Sequence, residues 1–370
     1  MADMSEEELI LAVFEGRPRD RIPFNIRHEY WYFVNKAKGS LPKEYEGLDL
    51  PEICSMWGAS WRCYSGYYVE SCVNVVYEDV NIVRKEYDRR AKIVIETPVG
   101  KLESLIGFDS WGLSSQILEY PIKTVRDIKV LEYVLDSVKV SFSREAYERL
   151  RRRVGGRGIV SYFFPRSPLQ ALFYNYLGIF RTFKFLIRYK AEVEGLMEVI
   201  KRHNHKFFEV IGSSPIRVLN LGENIDARIT SPRLFEKYCL PYYQEAADYL
   251  HRRGKYVHIH VDGYAKPLLP LLRETGLDGI EALTPKPAGD VTLEDIRKAV
   301  GDDMVLIDGV PYLYLLPEVS VRELEEFVKR IIMMFPHNLI LGISDEVPPP
   351  SDVRRLKLIS MIIEGFLARS

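Results

Sequence analysis

From about residue 155 onward the chain alternates short apolar runs with longer amphipathic stretches, and that alternation narrows the fold more than any other feature. Candidate strands lie at 158–163, 215–220, 256–261, 279–282, 304–307 and 339–342. Helix-like segments surround them at 167–180, 192–211, 231–253, 265–275, 292–300, 320–334 and 351–368. Several open on capping residues: Ser231 before Pro232, Thr292 with Asp295 three residues on, and Ser320 with Glu323 three on. Strands separated by helices pair in parallel and are covered on both faces. These six, with one strand at 21–26 and another at 53–57, make eight, so the expected fold is α/β, a (β/α)8 TIM-like barrel. An open doubly wound sheet is the runner-up. Its phosphate loop should follow a strand, whereas Gly155-Gly156-Arg157-Gly158 precedes one.

The first 150 residues have a different texture. Ser5-Glu6-Glu7-Glu8 caps a short helix over 7–14 that ends at Gly16. Ile93-Val94-Ile95, the turn Thr97-Pro98-Val99-Gly100 and the run 101–106 predict a β-hairpin or meander. The expectation is a single barrel domain over 1–370, with 1–150 an N-terminal elaboration plus the first strands and 151–370 the main barrel.

Charge and composition exclude several functions. Lys plus Arg number 51 and Asp plus Glu 52, a net charge of −1, which lacks the basic field of a nucleic-acid binder. The opening residues lack a signal peptide's basic start, and no apolar run reaches membrane-spanning length, so no membrane partner and a cytoplasmic location are expected. Cys54, Cys63, Cys72 and Cys239 form no C-x-x-C pair, which suits a reducing compartment better than a disulfide framework.

Chemistry in a barrel gathers at the carboxyl ends of the strands. Read in order, those ends offer Tyr162, Arg166 and Ser167, then Asn220, Glu223, Asn224 and Asp226, then His258 to Gly263, Glu281, Asp308-Gly309, and Ser344-Asp345-Glu346. Along 258–262 side chains alternate, which places His258, His260 and Asp262 on one face. Three titratable groups on an inward stripe call for a metal, a charged ligand or one another. A hydrogen-bonded histidine cluster is the plainer reading, and Glu223 and Asp345 on other strand ends weigh against it.

The chain resembles the uroporphyrinogen decarboxylase superfamily, which includes cobalamin-dependent methyltransferases. The resemblance is carried by FEGRPRDRIP at 14–23, ETPVG at 96–100, EYPIKTVRD at 119–127, SPRLFEKY at 231–238 with Pro241-Tyr242, HVDG at 260–263, GLDGIE at 276–281 and VPPP at 347–350. It implies a (β/α)8 barrel with its cleft at the strands' carboxyl ends, and a homodimer is common in the family. The decarboxylases hold their substrate's carboxylates with arginines soon after the first Ile-Pro; here that segment is Arg27-His28-Glu29-Tyr30-Trp31-Tyr32, with Trp31 at the second arginine position. Their catalytic aspartate has no counterpart in 53–58. The methyltransferase branch binds zinc through a His-x-Cys-Gly strand and a cysteine before the late prolines. By that resemblance His260 is retained and the cysteines become Asp262 and Asp345, a donor set suited to zinc, manganese or iron, with Glu223 or His258 as a fourth ligand.

The resulting expectation is an enzyme that moves a methyl group between a small methylated substrate and a corrinoid or similar carrier, with a corrinoid-binding protein as partner. His260, Asp262, Asp345 and Glu223 are the catalytic and metal-ligand candidates. Arg27, Tyr30, Trp31, Tyr162, Arg166, Asn220, His258 and Glu281 are the substrate-binding candidates, with Tyr and Trp side chains boxing the methyl group. A metal-independent decarboxylase of a porphyrinogen-like or smaller substrate, and a non-catalytic tetrapyrrole or metabolite binder, stay open as alternatives.

Overall fold

The computed structural model describes residues 4–367, and the end of the expected helix 351–368 lies outside them. The chain forms two compact units: Met1–Cys72 with Arg144–Phe163 and Ile216–Ser370, and Val73–Ser143 with Phe164–Pro215.

The first unit is built on an eight-stranded sheet whose order follows the chain. Its strands are β1 (Asn25–Ile26), β2 (Ser60–Ser65), β3 (Gly158–Phe164), β4 (Val218–Ile225), β5 (Tyr256–Val261), β6 (Gly279–Glu281), β7 (Val305–Pro311) and β8 (Leu339–Ser344). Parallel registers set Trp61 opposite Gly158, His260 opposite Glu281 and Asp308 opposite Leu341. The Leu341 amide donates to Pro23 O at 2.9 Å and Phe24 bridges Leu341, which closes the sheet into the expected barrel.

The barrel interior is layered. Its floor is apolar: Ile159, Val218, Val305, Ile307 and Ile340 pack with Ile10 and Val13 of α1 (Glu6–Phe14). Ser5 and Glu8 form the capping box that starts this helix. Two residues further along the strands the inward positions become polar, so Ile159 gives way to Ser161 and Val218 to Asn220. These are buried, as are Asn25, Arg62, His258, Glu281 and Asp308. An apolar base under a polar top is what places chemistry at one end only.

Two expectations fail locally. Residues 53–56 belong to a helix, Leu50–Met56, and Trp57 caps its end, because Asp49 and Glu52 form a capping box with Pro51 in the first turn. The second strand is instead Ser60–Ser65. Nor is 167–180 one helix: a π-type turn at Leu172–Tyr176 widens it and Gly178 ends it at φ 77°. A Cβ on Gly178 would also stand 2.6 Å from the Tyr120 ring.

In the second unit, strands Asn81–Tyr87, Arg90–Thr97, Gly100–Phe108 and Ser115–Glu119 form the expected meander. The helix Lys190–Gly212 is tied to the end of Asp127–Asp136 by Lys206 Nζ, which donates to Leu135 O, Asp136 O and Val138 O. Among the described residues no helix is long and apolar enough to cross a membrane.

Gly342 supplies a test of the barrel's inner packing, since a Cβ there would lie 2.3 Å from Asp308 Oδ1 and 2.6 Å from Asn25 O. Gly342→Ala should destabilise the barrel by about 2–3 kcal/mol. An unchanged urea midpoint would show that the interior is looser than described.

Candidate functional site

One carboxylate organises the polar layer. Glu281, at the end of β6 and fully buried, accepts from Arg62 Nη1 at 2.6 Å, Tyr64 OH at 2.6 Å and Asn220 Nδ2, and it binds His260 Nδ1 at 2.8 Å. Burial alone would push its pKa up; the His260 bond and the Arg62 charge outweigh burial and hold it well below the usual carboxylate range. Arg62 is spent in turn: Nη2 donates to Asp308 Oδ1 at 2.6 Å and Asn25 O at 2.7 Å, and Nε to Asn25 Oδ1 at 2.9 Å. Asp308 is pushed up to about 6, because burial exceeds what Arg62 returns.

With Nδ1 fixed on Glu281, the His260 ring directs Nε2 to the barrel mouth. There it lies 3.2 Å from Asp262 Oδ1 and 3.5 Å from Asp345 Oδ1. His260, Asp262 and Asp345 each present a metal-ligand atom within 4.8 Å of the others, the one group of this kind among the described residues. Asp262 is just past the end of β5, where its amide donates to Ile225 O, and Asn224 Nδ2 donates to its Oδ2. Burial lowers the affinity of His260 for a proton, but the charge of Asp262 and the bonds to Asp262 and Glu281 raise its pKa well above 6.5.

Asp345 is held from the other side. Arg27 Nη1 donates to Asp345 Oδ1 at 3.2 Å, and Nη2 lies 3.6 Å from Glu346. The guanidinium sits over the Tyr67 ring at 4.8 Å and the Tyr64 and Phe163 rings at 5.5 Å. These aromatic faces are covered by Arg27 itself. Glu346 is pushed up to about 7, burial outweighing Arg27 while Asp345 adds like-charge repulsion. Asp345 (φ 57°), Asp308 (φ 81°) and Ala282 (φ 62°) all adopt left-handed backbone. Ala282 and Asp345 directly follow the ends of β6 and β8, while Asp308 lies within β7, and such backbone strain clusters at functional sites.

The structure thus brings together His260, Asp262, Asp345, Arg27, Glu281 and Asn220. His258 does not join the mouth: it lies one layer down, near Arg62, Asn25 and Ser161, and burial lowers its pKa to about 4. His258 and His260 share the inward face of β5 but stand in successive layers, and Asp262 follows the end of the strand at Val261. Glu223 is buried on β4 outside the group of three. Trp31 is packed edge-on against Tyr45 and Trp57 with 2% of its surface exposed, so it lines core. Tyr30 lies half-buried on the helix Glu29–Lys38, and Tyr162 is buried on β3. Arg166 belongs to the second unit, over the Tyr174 ring. Arg62, Tyr64, Asn25 and Tyr67 were missed. The alternation of Arg62 and Tyr64 with Trp61 and Cys63 was the available signal, hidden by assigning the strand to 53–57.

A family model for uroporphyrinogen decarboxylase (URO-D) matches residues 112–364. The chain belongs to the uroporphyrinogen decarboxylase family. Among solved structures, a methyltransferase from Methanosarcina mazei aligns over 98% of this chain and 99% of its own, with a TM-score of 0.62 and 13% identity. That likeness shows that this uroporphyrinogen decarboxylase-family chain shares its fold. D-psicose 3-epimerase (TM-score 0.37, 9% identity, 65% of this chain and 82% of that one) is more distant. So is a xylose isomerase domain protein from Planctomyces limnophilus (TM-score 0.33, 14% identity, 61% and 83%). No curated protein matches the sequence.

The His260 geometry predicts a titration. In chelator-treated protein its ring should hold a proton well above pH 6.5, and Asp262→Asn should lower that midpoint. Because the folded pKa is raised, this group's stabilisation is full below 6.5 and fades as pH rises through the folded value. A wild-type ring that titrates near 6.5 by NMR would contradict the assignment.

Proposed function

We propose that this family member transfers a methyl group between a small methylated substrate and a corrinoid or similar carrier, with a divalent ion held by His260, Asp262 and Asp345. The observation that carries the reading is the convergence of three ligand atoms within 4.8 Å, with Glu281 on the far nitrogen of the imidazole. A carboxylate behind a histidine fixes the tautomer that turns a free nitrogen to an ion. The donor set fits such a group: one nitrogen and two carboxylates suit zinc, manganese or iron.

When bound there, the ion supplies Lewis acidity to the heteroatom that gives up its methyl group. The chain's own residues do the rest. Asn224 and Arg27 orient the two aspartates. Arg27 also carries a fixed positive charge toward a substrate anion, and Glu346, about half-protonated at pH 7, is the group at the mouth that holds a proton for the departing heteroatom. A corrinoid-binding protein is the partner this chemistry calls for.

One observation favours a second reading. His260 and Arg27 put two cationic groups beside exposed space at Asp345, which is 51% exposed, and cations there suit a carboxylated substrate. A decarboxylase working that way would use the imidazolium as proton donor and would survive chelators.

Metal analysis separates the two. Wild type should carry near-stoichiometric metal, and the His260→Ala, Asp262→Ala double variant should not. Glu281→Gln should weaken metal affinity by about 10–100-fold. Methyl transfer to cob(I)alamin should fall at least about a hundredfold in Asp262→Ala. No metal in wild type after soaking with zinc, manganese or iron, or equal rates in the variant, would remove the methyl-transfer reading.

A further inference from the structure

In the second unit the helix Ile179–Arg188 turns apolar side chains to solvent. Phe180 is 91% exposed and Ile187 84%, more than any other large apolar side chain among the described residues. At 100° per residue, a spacing of seven puts both on one stripe, with exposed Lys184 between them and half-buried Phe183 at its border. The opposite face is anchored. Phe185 is buried and packs edge-on against Tyr189, Thr182 Oγ1 donates to Gly178 O at 2.8 Å, and Arg181 Nη1 donates to Ile122 O at 2.8 Å. The exposed stripe therefore stands on a fixed helix and not on a frayed end.

The charge around it has one sign. Arg181, Lys184, Arg188 and Lys190 fall between 179 and 191 with no acidic residue. Lys184, Arg188 and Lys190 are exposed. Nearby acids are Glu192 and Glu194 in the following helix and Glu119, which pairs with Lys123 at 3.2 Å. A second copy packed on this stripe across a dyad would bring the cations of one copy, Lys184 above all, against those of the other, with no acid in 179–191 to offset them, which like-charge repulsion opposes. An acidic protein would need preformed pockets for two side chains that protrude almost entirely. A lipid interface accommodates protruding Phe and Ile without a pocket, and its anionic headgroups meet the cations beside them.

We propose that the helix Ile179–Arg188 docks this protein onto an anionic lipid surface, with Phe180 and Ile187 entering the interface and Lys184, Arg188 and Lys190 at the headgroups. No spanning segment is involved. A single short helix with two anchors gives weak, reversible, salt-sensitive attachment. The inference is independent of the reaction proposed for the barrel.

The test is co-sedimentation of the purified full chain with extruded vesicles of phosphatidylcholine, alone or mixed equally with phosphatidylglycerol. Wild type should sediment only with the mixed vesicles and be released by salt. Phe180→Ser with Ile187→Ser should weaken partition roughly tenfold per side chain, and Lys184→Gln with Arg188→Gln about fivefold per charge. Should the serine variant unfold, as read by circular dichroism, the glutamine variant carries the test alone. Wild type left in the supernatant with both vesicles, or a folded serine variant that binds like wild type, would overturn the proposal. So would a wild-type dimer by light scattering that the serine variant breaks.

Discussion

The rest of the site depends on the contact between Arg62 and Glu281. Both are buried in the barrel, 2.6 Å apart, and neither charge is tolerable there without the other. Removing one partner of such a pair costs about 3–5 kcal/mol, because an uncompensated charge stays behind. The pair is also arranged to do more than neutralise itself. Arg62 leaves one Glu281 oxygen shared with Tyr64 and the other for Asn220 and His260. Contributions from β2, β4 and β5 thus meet on one carboxylate of β6, which sets the orientation of the imidazole before any ligand arrives.

That arrangement is preorganisation bought from the barrel's geometry. The inward positions of parallel strands stack in layers, so a two-residue step along β5 separates His258, low and neutral, from His260, high and charged. The same residue type takes opposite pKa shifts because on His258 burial, helped by the nearby Arg62 and His260 charges, outweighs Glu281, whereas on His260 three carboxylates outweigh burial. Positive φ recurs at Asp308 within β7 and at Asp345 just past β8. Short polar side chains tolerate that backbone best. Asp345 gains from it a position reachable by both His260 and Arg27.

Much of this was legible in the residues. The strand–helix alternation is a direct imprint of two-sided burial, and seven of eight barrel strands overlap runs read from the chain, though their ends shift by up to five residues. The HxHxD run and the acidic end of β8 could be seen because polar residues at strand ends break an apolar pattern. The first two strands were harder to read: the first is only the end of the expected 21–26 and the second lies beyond 53–57. Asn25–Ile26 is too short to show a period, and in Ser60–Ser65 the inward Arg62 and Tyr64 interrupt the hydrophobic signal that identifies a strand. A charge that is buried because a partner elsewhere neutralises it looks like a surface residue in sequence. Arg62 and Glu281 are 219 residues apart, so only the closed barrel reveals the pairing. Trp31 erred in the opposite direction, since an aromatic in a family's binding segment carries no mark of whether its ring faces the cleft or the core.

Charge balance at the mouth links the two readings of the site. In the metal-free state the cations are His260 and Arg27, and the anions are Asp262 and Asp345, with Glu346 close to half-protonated at pH 7. The rim is nearly neutral, which is why its carboxylates can lie so close together. A divalent ion can be accommodated only if His260 releases the proton on Nε2, so binding exchanges one positive charge for two and leaves the rim more positive by one. Occupancy should therefore strengthen with pH through the range in which His260 titrates. On the methyl-transfer reading, Arg27, already paired with Asp345 and Glu346, would then be the surplus cation facing an anionic group of the substrate. A bound ion's charge would also lower the pKa of Glu346, so this carboxyl would be more largely ionised at pH 7 with the site filled than with it empty.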